Sequence, residues 1–495
     1  MILVVSGHSF VYEMECVVRL FFPGAKIAVE ASDKGAEKTA VASVSDDGGK
    51  LRLFTSLRLG GSFYSDSACL PGGAPVDERE RVLAVLLFGI LVKSTGIRPP
   101  WGILTGVRPV RLLRGWMECG LTREGASQRL QNDYLALPDK TELALSVADI
   151  QAPILADNLP RDFSLYVSIP FCPSRCLYCS FVSHEVHRCA KLIPDYVRLL
   201  KDEILLTAQI AADLQLKLRD VYIGGGTPAV LEAGELNLLL RTIRGAFDLS
   251  CLTEFTVEAG RPDAITPEKL KTLRENAVNR ICVNPQTMDD TVLAAIGRDH
   301  TAARVKEAFI QAREAGFRWI NMDLIAGLPG DGGAALDRSI DEVLALSPEN
   351  ITLHTLTVKR SSDLRGLESA FEELPGLQPA VSRAHGKLIA YGYRPFYLYR
   401  QKGTRQNLEN VGFAKPGFES PYNIFIMEET RTVLAVGAGA VTKLCAPGRI
   451  ERVYNFKYPY EYISRYEEQC ARKAEIKRFY LEGLCGKSTR KNTPP

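Results

Sequence analysis

Ser168-Ile-Pro-Phe-Cys-Pro-Ser-Arg-Cys-Leu-Tyr-Cys-Ser180 carries three cysteines, Cys172, Cys176 and Cys179, in a C-x3-C-x2-C run directly after a short apolar segment. Three cysteines this close can aim their sulfurs at one centre. Disulfide pairing would leave one of them over, and four-ligand zinc sites usually come as two separated pairs. Three thiolates on one loop suit a cubane iron–sulfur cluster with one iron left open. The competing reading is three unrelated core cysteines, and buried cysteines do not usually cluster at this spacing after a strand.

Outward from that loop the pattern alternates. Candidate strands are Leu165–Ile169, Val221–Ile223, Phe255–Val257, Arg280–Val283, Trp319–Leu324 and Ile351–Leu356, with amphipathic segments such as Tyr196–Ala212, Leu236–Phe247, Thr301–Ala315 and Ala335–Leu346 between them. Strands alternating with helices mean a parallel sheet with crossover connections. Six repeats are too few for the usual eight-stranded barrel and predict a partial (β/α)6 barrel with its chemistry at the C-terminal strand ends. Those ends are polar or glycine-rich: Gly224-Gly-Gly-Thr-Pro228, Glu258, Gln286, then Arg298 and Asp323. A tight turn is the default reading of a glycine run, and caps or salt bridges are the default for the single polar residues. Their recurrence at one edge of successive strands favours a common site.

The remaining chain divides around this barrel at 156–360. Residues 1–155 read as an α/β and helical accessory region. Ile2–Val5 reads as a strand, Phe10–Phe21 as a helix, Ala40–Val44 and Leu51–Thr55 as a hairpin, and the region turns helical from Asp77. The loop Trp101-Gly-Ile-Leu-Thr-Gly-Val-Arg-Pro109 interrupts that helical stretch. Its Arg108 and the following Arg111 read as a structural or solvated pair, with an anionic ligand or partner as the alternative. Residues 361–495 read as a smaller α+β region with a helix at Pro379–Tyr391. Tyr397–Arg400, Asn423–Met427 and Thr432–Val436 are expected as strands of an antiparallel piece. Tyr458–Leu484 is expected as a helix, and a frayed basic tail follows at Lys487–Pro495.

The bulk properties exclude some classes. Hydrophobic residues make up 46% and charged residues 24%, as in soluble globular proteins, and a formal net charge of +3 makes no case for bulk nucleic-acid binding. The other cysteines are scattered without disulfide-like spacing, which suits a reducing cytosol. Met1–Gly7 lacks a basic leader and reads as a first strand, not a signal peptide. The apolar run Val82–Val92, flanked by Arg81 and Lys93, is short for a membrane span and reads as a buried helix.

The C-x3-C-x2-C run, Gly224–Pro228 and the strand rhythm resemble the radical S-adenosylmethionine superfamily. Leu165-Tyr-Val-Ser-Ile-Pro-Phe-Cys172, Asn279-Arg-Ile-Cys-Val-Asn-Pro-Gln286 and Asp323–Pro329 resemble its oxygen-independent coproporphyrinogen III oxidase family. Ile296-Gly-Arg298, the Trp101–Pro109 loop and Asn407-Leu-Glu-Asn-Val-Gly412 resemble the HemZ-type, coproporphyrinogen dehydrogenase-like branch.

The resemblance implies that Cys172, Cys176 and Cys179 ligate a [4Fe–4S] cluster whose fourth iron is chelated by S-adenosylmethionine. It implies that Gly225 meets the methionyl amino group, that Tyr166 sits beside the cluster and that Glu258 binds the ribose. A second S-adenosylmethionine would be contacted by Tyr178, Gly226, Thr227, Gln286, Arg298 and Asp323, with Thr357 at a further contact where the family commonly has a small apolar residue.

The implied reaction converts coproporphyrinogen III to protoporphyrinogen IX by oxidative decarboxylation, with a flavodoxin- or ferredoxin-like electron donor. Arg298, Lys359, Arg360 and Arg400 are the candidates for the substrate carboxylates. Cys179 is followed by Ser180-Phe181, where established oxidases commonly place a further cysteine. Related branches include radical methyltransferases of tetrapyrroles and heme-delivery proteins.

Overall fold

The computed structural model describes residues 1–32, 36–106, 108–181, 183–359, 361–366, 374 and 376–484. Arg360, Cys485 and the basic tail lie outside the described residues. The chain forms two compact units. The first is Met1–Asp149 with Phe371–Gln378 and Leu398–Asn410, and the second is Ile150–Ala370, Pro379–Tyr397 and Val411–Pro495.

The first unit contains a five-stranded sheet built from β1 (Ile2–Ser6), β2 (Ala28–Glu30), β3 (Thr39–Asp47), β4 (Lys50–Leu59) and β5 (Ser62–Pro71), in the order β2-β1-β3-β4-β5. The expected hairpin is β3–β4, and β5 extends it antiparallel. Helices Val11–Phe21 and Val76–Thr95 bury Met14, Val17, Val18, Leu83, Leu87 and Leu91 together with Leu3, Leu53 and Leu57. Each such side chain contributes roughly 1.5–3 kcal/mol when fully buried. The run Val82–Val92 is part of this packed helix. Among the described residues no helix is long and apolar enough to cross a membrane.

The glycine- and proline-rich loop at 101–109 is tied to the late segment 398–410 of the same unit. Trp101 is fully buried and donates Nε1–H to Glu409 Oε2 at 2.8 Å, while Lys140 Nζ reaches Glu409 Oε1 at 2.6 Å. The buried guanidinium of Arg400 donates to the Leu104 and Asn407 carbonyls. The expectation that Arg400 faces a substrate carboxylate is thereby corrected, because its donors hold two loops together inside this unit.

The second unit is organised by an eleven-stranded sheet. It starts with β6 (Asp162–Ile169), followed by a short parallel pair, β7 (Phe171–Cys172) and β8 (His184–Glu185). The main sheet continues with β9 (Lys217–Gly225), β10 (Glu254–Gly260), β11 (Arg280–Val283), β12 (Trp319–Ala326) and β13 (Asn350–Thr355). Then come β14 (Arg394–Arg400), β15 (Glu409–Ala414), β16 (Thr432–Val436), β17 (Val441–Ala446) and β18 (Arg449–Tyr454). The order is β14-β15-β13-β12-β11-β10-β9-β6-β16-β17-β18. From β6 through β13 all neighbours pair parallel, giving the six strands of an open barrel.

The crossover helices include Ile193–Asp213, Ala233–Ala246, Pro267–Glu275, Ala302–Glu314 and Ala334–Leu346. Thr266 and Thr301 cap two of them through the third helical N–H, and Glu232 with Glu235 forms a capping box on another. These side chains satisfy amide donors that a helix start leaves free.

The C-terminal region departs from expectation in three places. Thr432–Val436 is no part of a separate antiparallel piece, because β16 pairs parallel with β6, the strand that leads into the cysteine loop. Asn423–Met427 is helical within Pro421–Glu428. Ser420 caps that helix by accepting from the Asn423 N–H, and Pro421 sits at its first position. Tyr458–Leu484 is broken into Pro459–Ser464, Tyr466–Arg472 and Ala474–Leu484.

The buried carboxylate of Glu203 anchors this region. It accepts from Gly437 N at 2.7 Å, Tyr462 Oη at 2.7 Å and Asn455 Nδ2 at 2.9 Å, and lies 2.9 Å from Lys473 Nζ. A buried charge with this many partners is stable only as a set.

Candidate active site

The loop after β6 is held from three sides. Gly226 N–H donates to the Ile169 carbonyl at 2.8 Å and Thr227 N–H to the Phe171 carbonyl at 2.7 Å, so the glycine turn after β9 is laced to the segment entering the cysteines. A Cβ on Gly226 would lie 2.4 Å from the Phe171 oxygen, and Gly225 has φ +108°. Neither position admits a side chain without displacement of backbone. Leu177 N–H donates to the Ile296 carbonyl at 3.1 Å. Finally, 361–364 clasps the loop: Arg175 reaches the Ser361 carbonyl at 2.8 Å and Asp363 at 3.3 Å, Ser362 Oγ donates to the Leu177 carbonyl at 2.8 Å, and Ser361 Oγ to the Ser180 carbonyl at 3.2 Å. Nothing in the sequence pattern pointed to these serines.

The three thiols sense one another. Burial, then the charges of Cys176 and Cys172, push Cys179 up to about 11. Burial also raises Cys172, partly offset by hydrogen bonds from Thr227 and Ser183; Thr227 Oγ1 lies 3.6 Å from Cys172 Sγ. Among the described residues no three Cys, His, Asp or Glu side chains converge tightly enough to hold a single metal ion. A cubane binds each thiolate at a different iron, and three thiols on one loop suit it.

The polar atoms around the loop fit a ligand too. Arg298 donates to the Asn284 carbonyl at 2.7 Å and Tyr178 Oη at 3.0 Å, and hydrogen-bonds Cys176, yet its Nε has no partner. The buried Gln286 Oε1 is likewise unpartnered, and Gln286 has φ +69°, in the left-handed region that costs a glutamine energy. Orphaned buried polar atoms need a partner.

Deeper in the barrel one layer of side chains crosses all six strands. In β6, β10 and β13 a single residue each escapes full burial: Tyr166, Glu258 and His354. Tyr222 in β9 and Asp323 in β12 are also partly accessible. Tyr166 and Tyr222 stack with centroids 6.3 Å apart, and Tyr222 stacks on Tyr422 at 4.3 Å. Tyr222 Oη donates to Glu258 Oε1 at 2.5 Å, and His354 Nε2 lies 3.9 Å from Asp323 Oδ2. The fully buried Cys282 of β11 completes the layer, its thiol raised by burial and by the charges of Glu258 and Asp323, with Arg280 opposing.

Burial and the neighbouring Asp323 charge raise Glu258 to about 7 despite the Tyr222 hydrogen bond. Asp323 moves the other way: burial works against it, but His354, Asn321 and Thr352 hold it below its ordinary range.

The structure thus brings together Tyr166, Cys172, Cys176, Tyr178, Cys179, Gly225, Gly226, Thr227, Glu258, Gln286, Arg298 and Asp323 around the strand ends. Thr357 follows β13 at the same edge and is half-buried, and Lys359 is exposed. Tyr222, Cys282 and His354 were missed by sequence reasoning. Their signal is that each interrupts an apolar strand at the depth of Tyr166 and Glu258. The backbone after β16 was missed as well: Ser168 Oγ donates to the Ala438 carbonyl at 2.8 Å, so Gly437-Ala-Gly439 lies beside the end of β6.

A parallel open barrel with a three-cysteine loop after its first strand is the architecture of radical S-adenosylmethionine proteins, and residues 166–343 match the description of that superfamily. The chain is 37% identical over 422 residues to the oxygen-independent coproporphyrinogen-III oxidase-like protein HemZ of Bacillus subtilis, covering 83% of each chain. It belongs to that HemZ-type branch of the radical S-adenosylmethionine superfamily. The heme chaperone HemW of Lactococcus lactis is 34% identical over 287 residues, covering 57% of this chain and 70% of its own. The solved coproporphyrinogen III oxidase HemN of Escherichia coli shares the fold, with a TM-score of 0.52 and 22% identity, covering 65% of this chain and 73% of that one. Proteins of this superfamily use a [4Fe–4S] cluster and S-adenosylmethionine.

Proposed function

We propose that this protein cleaves S-adenosylmethionine reductively and uses the radical for oxidative decarboxylation of coproporphyrinogen III to protoporphyrinogen IX. The observation that carries the first half is the juxtaposition of the three-thiol loop with the accessible Tyr166–Glu258–Asp323 layer at one end of an open barrel. The second half is supported by similarity to an oxidase-like relative. When bound, the cluster and S-adenosylmethionine supply an adenosyl radical able to abstract an unactivated hydrogen.

The chain's own residues do the rest. Cys172, Cys176 and Cys179 would hold the cluster, with Arg298, hydrogen-bonded to Cys176, stabilising its negative charge. The glycine backbone at 225–226 lets the methionyl end come close, with the amino group at Gly225. Glu258, fixed by Tyr222, would accept from the ribose, and Tyr166 would sit beside the cluster. Tyr178, Gly226, Thr227, Gln286, Arg298, Asp323 and Thr357 would line a second S-adenosylmethionine site. Lys359 remains as an exposed cation for a substrate propionate. The clasp at 361–364 holds the cysteine loop in place through Arg175, Leu177 and Ser180.

The test is anaerobic incubation of the reconstituted protein with S-adenosylmethionine, reductant and coproporphyrinogen III, followed by product analysis. Protoporphyrinogen IX with 5′-deoxyadenosine is expected. Deoxyadenosine without that product would move the reading to another radical reaction, such as methyl transfer to a tetrapyrrole. Stoichiometric heme transfer without adenosyl cleavage would favour a delivery role; the similarity to a heme chaperone and the Cys179-Ser180-Phe181 ending, which lacks the further cysteine of a C-x-C, support that second reading. Cys176→Ala is expected to abolish the visible absorption of the cluster.

A further inference from the structure

We propose that the face formed by Phe181, Ser183–Lys191 and Lys457–Tyr460 is the docking surface for a small acidic one-electron carrier protein. This rests on the radical-generating reading above, which requires that electrons enter one at a time from outside.

The geometry ties this face to the cluster ligands. In the β7–β8 pair, Cys172 is in register with Glu185 and Phe171 with His184. Glu185 is thus the cross-strand neighbour of the first cysteine. The His184 ring meets Tyr458 edge-on at 6.0 Å, and Tyr458 stacks on Tyr460 at 5.5 Å with an interplanar angle of 7°. Three packed rings therefore run from the strand beside Cys172 to the surface, where Tyr460 is 53% exposed. Phe181, two residues after Cys179, is 70% exposed. A bare phenylalanine on a loop otherwise pinned on several sides is a contact residue without a contact, and aromatic side chains of this kind anchor protein interfaces.

Charge selects the partner. Arg188, Lys191 and Lys457 are exposed, and Lys457 Nζ lies over the Tyr458 ring at 5.3 Å. The one acid of this face, Glu185, is already neutralised by Arg188 at 2.7 Å, with His187 at 3.6 Å. The nearby acids have cations of their own: Asp195 lies 3.4 Å from Arg198, and Glu461 exerts its charge on Arg465. The two lysines left over, Lys191 and Lys457, flank exposed rings; together they complement an acidic protein surface and steer its approach. In the encounter the carrier would lose one electron, and the [4Fe–4S] cluster that Cys172, Cys176 and Cys179 would hold would gain it. Both flavin-bearing and iron–sulfur carriers have this chemistry, and the test includes one of each.

The experiment compares the full-length reconstituted protein with Lys191→Glu/Lys457→Glu and with Tyr460→Ala. Affinity for an acidic flavodoxin and for an acidic ferredoxin is measured directly by titration. 5′-Deoxyadenosine formation is then driven either by each reduced carrier or by dithionite. Carrier affinity and carrier-driven cleavage are expected to fall at least tenfold in the charge-reversal variant and severalfold in Tyr460→Ala. Dithionite-driven cleavage should stay within twofold, and raising the salt should weaken the wild type toward the variant. Unchanged carrier affinity, or equal losses with carrier and dithionite, overturns the docking proposal. If wild-type protein gives no cleavage with dithionite, the radical-generating reading fails instead, and the affinity measurement alone still decides the docking surface.

Discussion

The two ends of the barrel strands are built on opposite rules for charge. At the N-terminal ends each buried carboxylate has an arginine within 4 Å: Glu254 has Arg280 at 3.1 Å, Asp220 has Arg431 at 2.6 Å and Asp162 has Arg219 at 3.6 Å. At the C-terminal ends Glu258 faces a tyrosine, Asp323 faces a histidine, and Arg298 has no carboxylate within 4 Å among the described residues. One end closes its charges internally and holds the fold together. The other keeps its acids away from Arg298, whose Nε stays unpartnered, which suits a zwitterionic ligand carrying both signs. Buried groups left in that condition cost stability and mark a functional site.

Three substitutions test this contrast, in falling order of effect. Arg431→Met removes the partner of Asp220, while Asp162 keeps Arg219, and should cost about 3–5 kcal/mol in urea unfolding, the usual penalty for stranding a buried charge. A loss below 1 kcal/mol would show that the paired end does not carry the fold.

Glu258→Gln should have the opposite sign. With a folded-state value near 7 against 4.5 for the free group, Glu258 is most favourable protonated. Its contribution is intact below pH 4.5 and is lost as pH rises to 7, so the ionised group strains the folded state. The glutamine variant should match wild type at pH 4.5 and gain up to about 3 kcal/mol above pH 7, while losing affinity for S-adenosylmethionine. A pH-independent difference would break the contrast.

Gln286→Gly, which releases the left-handed backbone, should stabilise by about 1 kcal/mol while weakening ligand binding. Destabilisation would mean that the amide serves the fold and not a ligand.

The parts that were legible in the sequence share a local signature. Arg280–Val283 was bounded to the residue because a short apolar run ends in polar residues on both sides. The cysteine loop was legible from spacing alone, before any fold was known. What escaped was decided by distant partners. Thr432–Val436 reads equally well as an edge or a central strand, and only β6, some 270 residues earlier, makes it parallel. Ile424 and Ile426 gave Asn423–Met427 the look of a strand, but the Ser420-Pro421 start and burial of Ile424 and Phe425 favour a helix. His354 and Tyr222 look like interruptions of apolar strands until Asp323 and Glu258 are seen to meet them. Arg400 looked available because sequence shows charge but not the carbonyls that absorb it.

The pairing of β16 with β6 also has a consequence in time. The thiols leave the ribosome early, but the Ala438 carbonyl that fixes Ser168 is made 270 residues later. At 5–20 residues per second, that is a gap of roughly 14–54 s. Throughout it the cysteines lie on a nascent chain whose first barrel strand has an open edge, and for most of it their loop also lacks the clasp at 361–364. Metal delivery therefore belongs after synthesis, to a finished chain, and a truncation anywhere before β16 would leave the cysteines present but without the floor that positions them.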